Sequence, residues 1–327
     1  KQFAQLSDLT LEGIITFVMS VLARGYDLAT RGARATARSS KRVLILFSGS
    51  YSRPDGLGAY LTKLGLEAVM VDNDGKRGGN NGHDLLDDSF YRKLLERVES
   101  GEFCAVFAAP PCGTFSISRF FKKGPSPVRD RDHILGLPNL SSRSKRELTD
   151  ANTLVSRTCH LLSSGWRVGT QFVLENPVDR GDRSLTRAFL SERHGSIWQM
   201  PEVQSLTGET GASLVHFCQC MIGAQWQKRT TLLFTAGFDD WLSRLGDLEC
   251  NHDSHDSAAG GEYDEASGEW NSRAAAAYPP ELNFYFAKSI ASLHALPDPA
   301  IAGDRDSVVA TKPVEPSEEP TESDEPT

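Results

Sequence analysis

Cys112 lies in the stretch VFAAPPCGTFSISR, directly after an apolar run and two prolines and before small and hydroxylated residues. A cysteine that only packs a core usually lies within a strand or helix, where its thiol is inert. Here two proline rings fix the backbone just before the thiol, so the loop presents that side chain in a defined position. Because a thiolate is a strong nucleophile, the pattern predicts a nucleophilic role for Cys112. The alternative is a cysteine that packs its own loop.

Glu175 is the second group that could take part in chemistry, and it follows another apolar run in TQFVLENP. A carboxyl group near a thiol can hydrogen-bond to a ring nitrogen or protonate it. Taken alone, the glutamate is equally well explained as a helix-cap or salt-bridge acid. The two groups become a reactive pair only if the fold brings them to the same edge of a sheet.

Apolar runs of strand length alternate with stretches of helical period along most of the chain. We predict strands over 42–48, 67–71, 103–109, 170–175, 214–220 and 231–236, with helices over 56–65, 89–100 and 145–165. Such alternation with continuously apolar strands predicts a parallel sheet covered by helices on both faces. Ligands of these sheets bind beyond the carboxyl ends of the strands. Gly49, Asp72, Cys112 and Glu175 should therefore face one crevice.

The first predicted strand leads into LFSGSYSRPDGLGAYL, where Gly49, Gly56 and Gly58 permit a tight turn and close approach of the backbone to a ligand. The turn lacks the Gly-Lys-Ser/Thr of a Walker loop. Asp72 ends the next strand about twenty residues later, where an acid can hydrogen-bond ribose hydroxyls. The pair indicates a nucleoside-containing cofactor, and the alternative is a glycine turn beside a surface aspartate.

The ordered motifs Phe47-Ser48-Gly49, Pro110-Pro111-Cys112 with Phe115-Ser116, and Glu175-Asn176-Pro177 resemble those of the cytosine-C5 DNA methyltransferases. The resemblance covers residues 42–296. It implies an α/β protein with the class I S-adenosylmethionine-dependent methyltransferase (Rossmann-like) fold, a mixed, mostly parallel seven-stranded sheet with helices on both faces. It also implies transfer of a methyl group to C5 of cytosine in DNA through a covalent cysteine adduct.

The same resemblance assigns roles to single residues. Cys112 would be the nucleophile, and Glu175 would hold N3 and the exocyclic amine of a cytosine taken out of its stack. S-adenosylmethionine would be bound by Phe47, Ser48, Gly49, Asp72, Asp84, Pro110 and Pro280. Nucleic acid would be contacted by Ser116, Arg119, Lys122, Lys123, Lys228 and Arg229. The basic stretch 119–146 is suited to neutralising phosphates, and the alternative is a solvated basic loop.

Three features depart from the family pattern. Pro177 follows Glu-Asn where the family has valine, and the target-recognition region is reduced to an irregular insertion over 239–277. The family's Gln-x-Arg-x-Arg matches either Trp226, Lys228 and Thr230 or Gln225, Gln227 and Arg229. Two alternatives therefore stay open: a catalytically weak or inactive nucleic-acid-binding module of a mobile-element protein, and an RNA methyltransferase. A chain that begins with Lys1 is compatible with a piece of a mobile-element polyprotein.

A Cys/His-rich stretch, Cys250-Asn-His252-Asp-Ser-His255, contains residues that can bind zinc, and His216, Cys218 and Cys220 precede it. The spacing matches no standard zinc finger, and Cys218 and Cys220 fall in a predicted strand. We therefore expect no metal. The alternative is a zinc clip that joins the two groups and stabilises an insertion without a core of its own.

The net charge of −8 is concentrated at the end of the chain, since residues 298–327 hold nine acidic and two basic residues. We predict an N-terminal amphipathic helix and basic linker over 1–41, a methyltransferase-like domain over 42–296, and an acidic disordered tail over 297–327. The apolar segment 13–23 is only about half the length that spans a bilayer, so we expect no membrane partner. Six irregularly spaced cysteines predict reduced thiols and an intracellular protein, nuclear or cytoplasmic.

Overall fold

The computed structural model describes residues 30–122, 124–255 and 275–294, together with Met19, Tyr263–Asp264 and Glu269–Trp270. The predicted acidic tail, Lys123 and, apart from Met19, the predicted helix over 13–23 lie outside the described residues. Residues up to Leu293 belong to one unit, which is the one described below, and the chain from His294 onward belongs to a second. None of the described helices is long and apolar enough to cross a membrane.

A six-stranded sheet forms the centre of the fold. Its strands are β1 (Arg42–Leu46), β2 (Glu67–Val71), β3 (Ala105–Ala108), β4 (Gln171–Pro177), β5 (Ser213–Cys218) and β6 (Arg229–Phe234). Their order across the sheet is β2-β1-β3-β4-β6-β5. Neighbouring strands are parallel except at β6, which runs antiparallel to both β4 and β5. This is the arrangement of a class I methyltransferase fold, as the sequence predicts.

In the part of the chain that the structure describes, the main sheet has six strands and not the expected seven, and Tyr263–Asp264 and Glu269–Trp270 form a separate two-stranded antiparallel sheet. After β2 the chain forms a 3-10 turn at Gly75–Arg77 and then passes through Gly-Gly-Asn-Asn-Gly before the next helix. Glycine and asparagine disfavour extended pairing and favour turns. The prediction of seven strands is therefore wrong by one for the described residues, and β2 is the edge of the sheet.

Helices cover both faces of the sheet, as predicted. The longer ones are α2 (Leu57–Lys63), α3 (Asp88–Glu99), α4 (Ser142–Arg167), α5 (Pro201–Thr210) and α7 (Pro280–Ala291), with a four-residue α6 at Asp239–Leu242. Alternate strand residues point to opposite faces, so Leu44 and Val106 pack in one core with α3, α4 and α5. Ile45 and Phe107 pack in the other core with α2 and α7. The two cores hold the carboxyl ends of the parallel strands level with one another.

A helix that we call α1 occupies residues 30–39, where the sequence analysis places part of a basic linker. Alanines at positions 33, 35 and 37 favour helix over coil, and Ala37 is buried. Arg34 donates from Nε to the Arg167 carbonyl at 3.0 Å, which ties α1 to the end of α4. The linker assignment is wrong for these residues because the alanine-rich face packs on the domain.

Candidate active site

The Cys112 loop is fixed by the strand beside it. Pro110 and Pro111 follow β3, and Cys112 begins a 3-10 turn over Gly113–Phe115. From the end of β4, Asn176 donates from Nδ2 to the Pro110 carbonyl at 2.9 Å. This bond is buried and joins the two segments that carry Cys112 and Glu175. The structure thus brings the predicted nucleophile and the predicted base-holding acid to one edge of the sheet.

Glu175 is surrounded by polar groups from distant parts of the chain. The residue is 5% exposed, and its Oε2 accepts a 2.8 Å hydrogen bond from the Tyr278 hydroxyl. Oε1 lies 3.7 Å from the Lys228 ammonium and makes no hydrogen bond. A buried carboxylate with one oxygen unpaired is costly. The open Oε1 is therefore the atom at which a donor from a bound molecule would be most stabilising.

Tyr278 is not among the residues predicted from the sequence to form the site, although it lies two positions before Pro280, which is. Its ring packs edge-on against Phe107 of β3 at 6.0 Å between centroids, and the Lys228 ammonium lies 5.3 Å from its centroid. Arg53, from the loop before α2, donates to the Tyr278 carbonyl at 2.9 Å. These contacts aim the hydroxyl at Glu175. A tyrosine just before a proline pair, in a segment returning to the sheet, is the signal that could have identified it.

Charge and burial determine the protonation of the Cys112 thiol and the Tyr278 hydroxyl. Burial raises the pKa of the half-buried Cys112 thiol above its ordinary value, Lys228 opposes the rise and Glu175 adds to it. Burial and then the Glu175 carboxylate raise the pKa of Tyr278 well above its ordinary range. At neutral pH the resting site therefore holds a protonated thiol and a phenol that donates to Glu175.

The turn after β1 is strained and tied to the end of β2. Phe47 has a φ of +60°, which is costly for a bulky side chain. The amides of Phe47 and Ser48 both donate to the Val71 carbonyl, at 2.7 and 3.2 Å. Gly49 has a φ of +69° and donates to the Asp72 Oδ2 at 2.9 Å. Four of the predicted cofactor residues are thus adjacent in space.

The chemistry of this turn fits a nucleoside. An ideal Cβ at Gly49 would have no heavy atom within 4 Å, so the space above the turn is open. Asp72 Oδ1 accepts the Asp74 amide at 2.9 Å, and a carboxylate oxygen can accept a second donor such as a ribose hydroxyl. Asp84 lies further along, where its Oδ1 accepts from the Leu86 amide at 2.9 Å.

The remaining predicted cofactor residues lie on other segments. Pro110 belongs to the Cys112 loop, and Pro280 is the first residue of α7, two positions after Tyr278. Next to Asp84, His83 is within 2.7 Å of the Tyr51 hydroxyl at its Nδ1. The same hydroxyl donates to the Asp72 carbonyl at 3.2 Å. Tyr51 therefore connects the Asp84 loop to the glycine turn, a role that the sequence did not reveal.

Two arginines expected to contact nucleic acid are engaged inside the protein. Arg119 is 9% exposed, and it donates to the Gly113 and Ser126 carbonyls at 2.6 and 2.9 Å and pairs with Glu147. Arg229 pairs with Glu249 at 2.9 Å. Both predictions are wrong for this conformation because the guanidinium groups brace their own segments. Among the other residues proposed for this role, Lys122 is exposed, Lys228 faces Glu175, and the Ser116 hydroxyl is 2.7 Å from that of Ser118.

A third arginine, Arg129, packs inside the protein against the segment after Cys112. Arg129 is 1% exposed and stacks on Phe115, with 3.9 Å between the guanidinium carbon and the ring centroid. It donates to Thr114 Oγ1 and to Asn152 Oδ1, each at 3.0 Å. Burial lowers the pKa of Arg129 to about 10. The basic stretch is therefore partly an internal scaffold, which its charge alone did not indicate.

The Cys/His-rich stretch meets the β5–β6 connection. Cys220, Cys250, His252 and His255, which we call the Cys/His cluster, have ligand atoms that all lie within 4.8 Å of one another. Cys218 stays buried in β5, and His216 Nδ1 is 2.7 Å from Thr231 Oγ1. Because β5 ends at Cys218, two residues before its predicted end, Cys220 leaves the sheet and reaches the cluster.

No protein-family model matches the chain, and no curated protein is similar to it in sequence. Three solved structures of methyltransferases are similar in fold. Dnmt2 from S. pombe is 12% identical over 59% of this chain and 48% of its own, with a TM-score of 0.31. A DNA modification methyltransferase encoded within an E. coli prophage is 14% identical over 59% and 45%, with a TM-score of 0.27. A DNMT2 variant from Spodoptera frugiperda is 11% identical over 66% and 54%, with a TM-score of 0.26.

The matched part of this chain spans about half the length of each of those proteins.

Proposed function

We propose that the chain transfers a methyl group from S-adenosylmethionine to C5 of cytosine in DNA, with Cys112 as the nucleophile. The observation that carries the proposal is the meeting of Cys112, Glu175 and Lys228 at the carboxyl ends of β3 and β4. A thiol, a carboxylate and an ammonium so arranged are suited to adding a nucleophile to a polar ring and stabilising the charge that develops.

The proposed reaction begins at C6 of a cytosine that has left its base stack. The Cys112 thiol gives its proton to solvent, its sulfur electron pair forms the S–C6 bond, and the C5=C6 pair moves to C5. Glu175 accepts from the exocyclic amine and shares with N3 a proton taken up from solvent, which orients the ring and stabilises the adduct. S-adenosylmethionine, when bound, supplies the methyl group that C5 takes. The C5 proton then passes to solvent, its bonding pair restores the double bond, and the C6–S pair leaves with Cys112.

Lys228 has two roles in this proposal. Its ammonium, 3.7 Å from Glu175 Oε1, offsets the charge of the buried carboxylate. It also lowers the pKa of Cys112 against the effect of burial. A base bound at Glu175 replaces water near the thiol, which strengthens the attraction between the thiolate and the ammonium.

The cofactor would be held by the strained turn and the end of β2. Phe47, Ser48 and Gly49 would approach its polar groups through the backbone, and Asp72 would accept from ribose hydroxyls. Asp84 and Pro280 are proposed for the adenine side, and Pro110 for the side that faces Cys112. Lys122, on the exposed surface after the nucleophile loop, is proposed to contact phosphate.

Trapping by 5-fluorocytosine tests this function. Mixed-sequence DNA carrying the fluorinated base is incubated with the chain and S-adenosylmethionine, and intact mass with peptide mapping locates any adduct. Fluorine cannot leave C5 as a proton does, so a covalent product should accumulate on Cys112. Cys112→Ser, which keeps the size of the side chain, should form none. The same oligonucleotide as RNA distinguishes the two nucleic acids, and an adduct with RNA alone would assign the activity to RNA.

One observation favours a second function, that of a catalytically weak or inactive nucleic-acid-binding module. The Tyr278 hydroxyl already occupies Glu175 Oε2, so a base must compete with a group of the chain itself. If this contact blocks the site, Tyr278→Phe should convert an inactive chain into one that forms the fluorocytosine adduct. If the chain is active with Tyr278 in place, the wild type reacts and the module function is excluded.

A further inference from the structure

We propose that the Cys/His cluster is a structural zinc site. The Cys250 sulfur lies 3.6 Å from His252 Nδ1 and 3.4 Å from His255 Nε2. A tetrahedral zinc ion with bonds of about 2.3 Å to sulfur and about 2.0 Å to nitrogen places such atoms about 3.5 Å apart. The two independent distances match that spacing. Cys220, from a separate segment, completes two thiols and two imidazoles within 4.8 Å of one another.

The donor set selects the metal and its role. Two sulfurs and two nitrogens in a tetrahedral arrangement are typical of zinc, whereas magnesium and calcium prefer oxygen. Four protein ligands fill the coordination sphere and leave no position for a substrate or water, which distinguishes a structural site from a catalytic one. Three of the ligands fall within six consecutive residues, and the fourth comes from the turn after β5.

The segment that carries the three ligands has little else to hold it in place. Residues 251–254 are exposed, and Cys250 and His255 are half-buried. Just before them, the Leu248 carbonyl accepts from the Cys218 amide at 2.9 Å, and Glu249 pairs with Arg229. A segment without buried apolar side chains needs a covalent or metal link to stay fixed. Zinc would supply that link between the segment and the β5–β6 connection.

The link would also position Lys228. The Gln219 amide, one residue before Cys220, donates to the Lys228 carbonyl at 3.0 Å, and Arg229, one residue after Lys228, pairs at 2.9 Å with Glu249, one residue before Cys250. The turn that holds Cys220 and the residues around Lys228 are therefore attached to the cluster from both ends. Zinc bound there would restrain the backbone from which Lys228 reaches Glu175. The importance of Lys228 for catalysis rests on the proposed function. Zinc binding itself does not, because it can be measured without any substrate.

Metal content is the first test. The full chain is expressed with zinc and without a polyhistidine tag, and elemental analysis should find about one zinc per chain. Cys250→Ser and His255→Gln should reduce the content to near zero. His216→Gln and Cys112→Ser remove a histidine and a cysteine outside the cluster and should leave it unchanged. Wild-type protein that holds far less than one zinc, or equal losses in the control variants, would overturn the proposal.

A second measurement uses the wild-type chain alone, so it does not depend on variants that fold poorly. Cobalt(II) added after chelation should give the intense visible bands of a tetrahedral thiolate site, and their absence at saturating cobalt would refute the assignment.

Free zinc at about 100 times its Kd should suppress local opening about a hundredfold. Trypsin should therefore cut after Lys228 up to that much faster in chelated protein, and equal rates would contradict a restraint on Lys228. Failure of adduct formation with zinc bound would count against the proposed reaction and not against the site.

Discussion

Removal of the Tyr278 hydroxyl tests the internal hydrogen bond on which the candidate site is built. In Tyr278→Phe the ring contacts with Phe107 remain, but Glu175 Oε2 loses its 2.8 Å donor. Glu175 is 5% exposed and its Oε1 already lacks a hydrogen bond, so solvent cannot readily replace the phenol. A hydrogen bond to a charged group contributes about 1.5–3 kcal/mol. We expect the free energy of unfolding to fall by that amount.

Tyr285→Phe is the matched control, because the Tyr285 hydroxyl donates to a neutral acceptor, the Trp241 carbonyl. A hydrogen bond between neutral groups contributes about 0.5–1.5 kcal/mol, so the control should lose about 1 kcal/mol less. Both losses in the free energy of unfolding are to be measured by urea denaturation, with the dependence on urea concentration, m, unchanged. On a Glu175→Gln background the cost of Tyr278→Phe should drop to the neutral range, since the amide oxygen carries no charge. A loss no larger than in Tyr285→Phe, or no dependence on Glu175→Gln, would refute the reasoning.

Three further predictions concern the cofactor turn, the thiol and the nucleic-acid surface. Gly49→Ala and Gly65→Ala each place a Cβ at positive φ with no atom within 4 Å, so each should lower the free energy of unfolding in urea by about 1–2 kcal/mol. Calorimetry should show weaker binding of S-adenosylmethionine only for Gly49→Ala. Equal binding in both would contradict the cofactor turn. Because the pKa of Cys112 is raised, its alkylation, measured by peptide mass, should be slow at neutral pH and accelerate above the ordinary thiol range. In Lys228→Gln the acceleration should need a still higher pH. Fast alkylation of the wild type at neutral pH would contradict the raised pKa. Lys122→Gln should lower the slope of log K against log salt for DNA binding by about 1, and an unchanged slope would remove Lys122 from the interface.

Much of the sheet was predictable because its strands are continuously apolar and end in marked residues. The bounds of β2 match the prediction, and the strand ends do place Gly49 near Asp72 and Cys112 near Glu175. These successes rest on one physical rule, that parallel strands bring their carboxyl ends together. β2 lies at the edge of the sheet because the chain after it turns at Gly75–Arg77 and continues through glycines and asparagines, which disfavour a further paired strand.

The side-chain partners could not be predicted from periodicity. Arg119 and Arg229 are indistinguishable in sequence from surface arginines, and only the fold shows the acids and carbonyls that bind them. Tyr278 lies about a hundred residues from Glu175 in sequence, so no local pattern connects them. For Cys220 the sequence offered the Cys/His-rich stretch as one alternative, but only the early end of β5 shows that Cys220 joins it while Cys218 and His216 do not. A contact across 103 residues decides the case of Tyr278, whereas the partners of Arg119 at Gly113 and Ser126 are close in sequence and are brought to it by the folding of its own loop.

The adduct between Cys112 and 5-fluorocytosine in DNA is the most direct measurement of the central claim. With S-adenosylmethionine present, we predict a mass increase that maps to the peptide containing Cys112 and that disappears in Cys112→Ser. The zinc content of Cys112→Ser, which should equal that of the wild type, separates a lost thiol from a lost fold, because Cys112 lies outside the Cys/His cluster. Cofactor binding without any adduct on Cys112, in wild type and in Tyr278→Phe alike, would contradict the claim.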